Sequence, residues 1–317
     1  MIVRWGLTEL PDVLLELGIE RPLAVASRRW DDLALPADDR WREVPSHRID
    51  VPAGVDGLLG VGGGSAIDTA KAASAAHSLP LVSVPTTYSG AEWTPFFGVR
   101  DPDRRMVGGG GGALLAAIVY DPELTLDLDR QTTVGTAMNA LAHCAEALYV
   151  RGHSPAGDEH ALAGARAISE WLPRVVERPH DLEERRALLE GAAHAGEALG
   201  IAGLALAHAM AQAVGGRYGL PHGTLNGICL PPALRFNAEV VPDAVRAFGE
   251  AIGAADDPAS RVEELTALGG PTRLRDLGVP HDDLGDLAAA AAVRRGNEVN
   301  PRPATADEIA ELLRSVW

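Results

Sequence analysis

The sequence predicts an α/β amino-terminal domain built on a parallel sheet, followed by an all-helical carboxy-terminal domain. Three observations predict it. Short apolar runs separated by polar breaks fill the first 125 residues, as in βαβ units. One run, Gly57-Leu-Leu-Gly-Val-Gly-Gly-Gly-Ser65-Ala-Ile-Asp68-Thr-Ala-Lys71, passes from a strand through three glycines into a helix. From Gln131 onward Ala, Leu, Glu and His recur at helical spacing with almost no β-branched runs. The expected boundaries are 1–125 and 126–317.

In chain order, Met1–Arg4 reads as a strand, Leu10–Leu17 as a helix and Pro22–Ala26 as a second strand, before a Pro-containing passage to Val51. Leu58, Leu59 and Val61 suit a strand buried on both faces. Gly62, Gly63 and Gly64 lack Cβ atoms, so the backbone can close on an anion. Ser65 is the expected cap of a helix over Ala66–Ala76, whose N-terminal N–H groups and partial positive charge point at the glycines. A pyrophosphate suits that position. Leu79–Pro85 is the next buried strand, and Thr86, Thr87, Tyr88, Ser89 and Gly90 follow its C-terminal end, where open α/β sheets bind ligands. Phe96–Val99 reads as a strand. Gly108–Gly112, with no apolar periodicity, is expected to be a mobile loop, and Ala117–Asp121 is a strand ended by Pro122.

Composition narrows the function. Lys and Arg total 28 against 44 Asp and Glu, a net charge of −16, which disfavours nucleic acid and anionic membrane as partners. No apolar run is long enough to cross a bilayer. Cys144 and Cys229 lie far apart in apolar contexts, which predicts buried thiols in a reducing, cytoplasmic setting.

The second half holds the candidate chemistry. The helix over Thr132–Tyr149 carries Asn139, His143 and Glu146, and Asn139 and His143 share one face. His208 and Gln212 repeat that spacing on a helix over Ala202–Val214. Next comes Gly215-Gly216-Arg217-Tyr218-Gly219-Leu220-Pro221-His222-Gly223, a turn that sets a third imidazole at a helix entry. Further helices are expected over Ala161–Trp171, Leu182–Leu199, Leu225–Phe236, Ala244–Ile252, Asp283–Ala292 and Ala306–Trp317.

The pair Gly-Gly-Gly-Ser and Val-Pro-Thr-Thr-Tyr-Ser-Gly resembles the iron-containing alcohol dehydrogenase superfamily, which includes dehydroquinate synthase-like proteins. Asn139-Ala-Leu-Ala-His143-Cys-Ala-Glu-Ala-Leu-Tyr149, Pro271–Gly278 and Asn300-Pro-Arg-Pro303 resemble its maleylacetate reductase branch. The resemblance implies NADH or NADPH held by Gly62, Gly63, Gly64, Ser65, Asp68, Thr86, Thr87 and Ser89, with Arg105 near the nicotinamide ribose. It implies a small anionic oxo-acid as substrate, reduced at a carbon–carbon double bond in aromatic-compound breakdown, and a homodimer. In the superfamily an Asp-x-x-x-His helix, a His-x-x-x-His helix and a Pro-His turn hold a divalent metal and add a catalytic histidine. Here those positions read Asn139, His143, His208, Gln212 and His222. Without the carboxylate no metal is expected; if iron or zinc binds, its ligands are His143, His208 and His222. Those three, with Asn139, Tyr88, Gln212 and Arg217, form the expected catalytic set, Arg217 on its place beside the Pro-His turn alone. The alternatives are a metal-dependent alcohol dehydrogenase or aldehyde reductase, and a nucleotide-binding relative without turnover.

Overall fold

A computed structural model of the chain describes residues 1–46, 48–101 and 106–317, which fall into two compact units. The first comprises Met1–Thr87 and Ala91–Asp127, the second Tyr88–Gly90 and Leu128–Trp317.

The first unit contains β1 (Ile2–Trp5), α1 (Leu10–Glu16), β2 (Pro22–Ala26), β3 (Asp39–Trp41), β4 (Gly57–Gly62), α2 (Gly64–His77), β5 (Pro80–Pro85), β6 (Phe97–Arg100), β7 (Met106–Gly110) and β8 (Leu114–Tyr120). Six strands form one sheet in the order β1-β8-β5-β4-β2-β3, and every pairing in it is parallel. Both faces are covered, which is why β4 and β5 read as continuous apolar runs. Leu59, Val61, Val82 and Val84 point to one side, into a core with Leu10, Val13 and Leu14 of α1. Leu58 and Leu81 point to the other, against Ala70 and Ala73 of α2. Gly60 lets α2 lie close: a Cβ there would stand 2.9 Å from that of Ala70.

Four local readings need correction. The polyglycine run is not a loop throughout, because Met106–Gly110 pairs antiparallel with Phe97–Arg100. The glycines make room for aromatic rings there, since a Cβ on Gly110 would stand 2.8 Å from the Phe97 ring. Ser65 does not cap α2. The cap position is Gly63, and no side chain caps that helix, so its first N–H groups stay available to a ligand. Within the Pro-containing passage lies β3, fixed through Arg40, whose guanidinium donates to the carbonyls of Trp30 (3.0 Å) and Leu33 (2.8 Å). Hydropathy carries no trace of such a strand. Finally, a helix over 258–267 went unassigned although Asp257-Pro258 is a start signal.

The second unit contains α3 (Arg130–Ala147), α4 (Pro155–Glu177), α5 (Leu182–Ala202), α6 (Leu206–Tyr218), α7 (His222–Ala238), α8 (Pro242–Ala251), α9 (Pro258–Ala267), α10 (Leu284–Ala292), α11 (Arg295–Glu298) and α12 (Ala306–Ser315). Side-chain caps start several of them, Asp129 on α3, Asp181 on α5 and Thr305 on α12. Each cap accepts an N–H that the helix leaves unpaired. α3 is the central element, buried along most of its length and packed against α4, α5, α6 and α7. Its small residues allow this. A Cβ on Gly164 of α4 would lie 2.8 Å from Cys144 Sγ, and one on Gly227 of α7 would lie 2.8 Å from Thr266 Oγ1 and 3.3 Å from Met138 Cβ. Cys144 and Cys229 are free and buried, and burial pushes the Cys229 thiol up to about 12. Among the described residues no single helix is long and apolar enough to cross a membrane.

Candidate functional site

In the first unit the glycine turn forms a cradle. Gly62 has φ +143° and a Cβ there would meet that of Ala66 at 2.7 Å, so both backbone conformation and space require glycine. A Cβ on Gly63 would lie 2.9 Å from Thr87 Cγ2 and 3.4 Å from Thr87 Oγ1. Thr86 N–H donates to the Gly62 carbonyl (3.1 Å), tying the two predicted segments together. Thr87 Oγ1 is buried without a hydrogen-bond partner. An uncapped helix N-terminus, a glycine cradle and an unpaired hydroxyl beside it fit a pyrophosphate.

Asp68 faces elsewhere. It accepts from Gly98 N–H (3.2 Å) and pairs with Lys71 (3.1 Å). Lys71, almost wholly buried, also donates to the carbonyls of Ala91 (2.7 Å) and Phe96 (2.6 Å). This pair fastens the segment around β6 to α2. Ser65 supplies a carbonyl to Thr69, and Arg105 lies outside the described residues.

In the second unit three predicted histidines come together. The rings of His143 and His208 stack at 4.8 Å with 16° between their planes, and His222 lies 5.7 Å from His208. Local chain geometry explains the convergence. A Cβ on Gly223 would collide with the Gly135 carbonyl at 2.1 Å, so only glycine lets α7 begin against α3 and hold His222 at the level of Asn139. Gly90, with φ +71°, brings the Tyr88–Gly90 segment against α3 and α5; a Cβ there would stand 3.1 Å from Gly196 Cα and 3.4 Å from His143 Nδ1.

Hydrogen bonds fix which nitrogen does what. Asn139 Nδ2 donates to the Ser89 carbonyl (2.8 Å), which orients the amide. The same nitrogen then faces His143 Nε2 at 3.3 Å as a donor. His143 is therefore neutral, with its proton on Nδ1. That N–H is buried and unpaired. Burial, and after it the proximity of His208 and His222, hold this imidazole well below the usual histidine range. Asn139 Oδ1 accepts from Asn226 Nδ2 (2.5 Å), which also faces His222 Nε2 (3.1 Å).

His208 has a different partner. Its Nδ1 lies 2.6 Å from Glu146 Oε2, and the same carboxylate accepts the backbone N–H of Ala205 (2.7 Å) and of His208 itself (3.2 Å). Glu146 is fully buried, and His208 Nε2 has no partner. The arrangement is a carboxylate–imidazole pair whose second ring nitrogen is buried and unpaired, with the His143 ring stacked on its face.

The remaining predicted residues are engaged elsewhere. Tyr88, fully buried, accepts at its hydroxyl from Nη1 of buried Arg185 (3.1 Å), which also donates to Thr133 Oγ1. Gln212 holds the guanidinium of Arg294, its Oε1 accepting from Nη1 and its carbonyl from Nη2, both at 3.3 Å. Arg217 is neutralised by Asp283 (3.3 Å) and Asp286 (3.4 Å). Sequence reasoning passed over Asn226, whose spacing of four from His222 was the available signal. Glu146 was placed on the α3 helix but given no role. Nothing in the sequence marked Arg185 or Arg294.

The donor set does not fit a divalent metal. Asn139 and Gln212 are neutral amides, the Nε2 atoms of His143 and His222 face amide N–H groups, and the His143 and His208 rings stack instead of converging. Among the described residues no group of three or more His, Cys, Asp or Glu side chains is placed to hold an ion.

Comparison with known proteins gives two family matches: "Iron-containing alcohol dehydrogenase" over residues 51–122 and "Fe-containing alcohol dehydrogenase family, C-terminal" over residues 133–317. A maleylacetate reductase of Pseudomonas knackmussii is 33% identical over 333 residues, covering 98% of this chain and 93% of the relative. The crystal structure of maleylacetate reductase from Agrobacterium tumefaciens matches with a TM-score of 0.88 at 29% identity, covering 100% of this chain and 95% of that one. That of the Rhizobium enzyme matches with a TM-score of 0.88 at 28% identity and the same coverage.

Proposed function

The chain belongs to the iron-containing alcohol dehydrogenase family and is an NAD(P)-dependent oxidoreductase, and from that premise we propose that it reduces the carbon–carbon double bond of maleylacetate, or of a similar unsaturated oxo-acid, to give 3-oxoadipate or its counterpart. Maleylacetate is a dicarboxylate whose double bond is conjugated to a ketone. The Gly62–Ser65 turn with Thr86 and Thr87 would hold the cofactor diphosphate, and the bound nicotinamide supplies hydride to the carbon β to the ketone. Negative charge then develops on the ketone oxygen, and a proton must reach the α carbon.

The observation that carries the proposal is the tautomer imposed on His143. With Asn139 donating to its Nε2, the unpaired Nδ1–H is a preorganised donor for an enolate oxygen. An imidazole held neutral gives up no proton there, so it stabilises the charge without being consumed by it. His208 Nδ1 is bonded to the buried Glu146 carboxylate. Glu146 can balance a second proton on His208 Nε2, so we assign His208 as donor to the α carbon. Asn139, Asn226 and His222 orient these two rings, and Tyr88, tied to Arg185, anchors the segment that offers the Ser89 carbonyl. The resemblance also leads us to propose a cytoplasmic homodimer, which sedimentation tests.

The test is oxidation of NADH and of NADPH with maleylacetate and with simple aldehydes, each with and without a chelator. Turnover of maleylacetate that is indifferent to chelator is expected. Aldehyde turnover abolished by chelator would replace the proposal with metal-assisted carbonyl reduction.

A further inference from the structure

Arg294 precedes α11, and its guanidinium is bound to the helix that carries His208. Gln212, its partner, stands four residues after His208 and therefore one turn along the same face of α6. Both contacts to Gln212 are to neutral oxygens at 3.3 Å. Nε is covered and has no hydrogen-bond partner. Among the described residues no carboxylate comes within ion-pair distance of Arg294, whereas Arg217, Arg235 and Arg302 each have at least one. Burial holds this guanidinium below its ordinary value. A half-buried cation left without an acid, in a chain of net charge −16, is costly for folding alone.

Resting on the reductase reading above, we propose that the Arg294 guanidinium, presented by Gln212, is the subsite that binds a carboxylate group of the substrate beside His208. A guanidinium has five N–H donors in a planar fork, and only two are used here. A carboxylate can take the fork bidentately and supply the missing acceptor. Gln212 suits this role because it steers the side chain without cancelling its charge; an acid at 212 would occupy the subsite permanently. Arg217, already paired with two aspartates, cannot serve.

The test uses adipate, a saturated dicarboxylate that accepts no hydride, titrated calorimetrically into the full-length protein with NAD+ or NADP+ present. R294Q and Q212E should each weaken adipate binding about tenfold or more, and R294K less, while the cofactor dissociation constant stays within about twofold as evidence of an intact fold. Equal adipate affinity in wild type and R294Q, or no adipate binding to wild type, overturns the subsite. The reductase reading is tested apart from this. Wild type that binds adipate through Arg294 yet does not turn over maleylacetate sinks only the reductase. Turnover of maleylacetate with unchanged KM in R294Q sinks only the subsite.

Discussion

Glu146→Gln separates the proposed proton donor from its counter-charge with the smallest change of shape. The carboxylate accepts three N–H groups, from Ala205 N at 2.7 Å, His208 N at 3.2 Å and His208 Nδ1 at 2.6 Å, with no exposure to solvent. A glutamine has one oxygen. Its best orientation places that oxygen where Oε2 stood, keeping the bonds to Ala205 N and His208 Nδ1 and turning the NH2 toward the His208 N–H. One buried bond to a charged acceptor becomes a donor–donor contact, worth about 2–3 kcal/mol of stability. The protein should remain folded. Its activity should suffer more, because a proton on His208 Nε2 would then have no balancing charge, and general-acid assistance is worth roughly 10²–10⁴ in rate. The assay pairs urea unfolding with kcat for maleylacetate and the dissociation constant for NAD(P)H. A folded E146Q protein with kcat within about threefold of wild type would refute the assignment of His208.

Other outcomes follow from the same geometry. Because burial depresses the His143 pKa, the unfolded chain takes up a proton near the ordinary 6.5 while the native chain does not. Stability from this group is therefore present above about pH 6.5 and lost below it, with a slope of at most about 1.4 kcal/mol per pH unit. In H143Q that component should vanish, so urea midpoints of wild type and variant measured between pH 7.5 and 5.5 must converge as pH falls; parallel curves would contradict it. Gly63→Ala places a methyl against Thr87 in the cradle and should weaken NAD(P)H binding about tenfold or more, read by fluorescence titration. Tyr88→Phe removes one of the two acceptors of buried Arg185 Nη1, leaving Thr133 Oγ1, and should cost about 1–3 kcal/mol in urea unfolding; an unchanged midpoint would show that the bond does not anchor the segment.

Some of this protein could be read from its residues in a line. Apolar runs of β4 and β5, the glycines at 62–64 and the helical spacing of the second half each report a local requirement, for burial on two faces, for a missing Cβ or for one buried stripe. Local requirements leave local marks, so the parallel sheet, the glycine cradle and the helices bearing His143, His208 and His222 were all legible. The strand at 39–41 was not, because it is held by pairing with β2, by Arg40 reaching back to the Trp30 and Leu33 carbonyls and by Trp41 alone among its residues packing on the core, which leaves no apolar run. The polyglycine strand was not, because it is held by pairing with Phe97–Arg100 and its packing is supplied by Phe96 and Phe97, none of which its own residues reveal. Roles within the histidine cluster depended on tertiary structure altogether. Which nitrogen of His143 carries the proton is decided, through Asn139, by the Ser89 carbonyl fifty residues before that asparagine, and the counter-charge of His208 by a glutamate sixty-two residues upstream. Of the arginines near the predicted site, folding alone decides that Arg217 meets two aspartates while Arg294 meets none among the described residues. Charge and hydrogen-bond partnership are properties of neighbours in space, and a sequence names the residues without saying which of them will be neighbours.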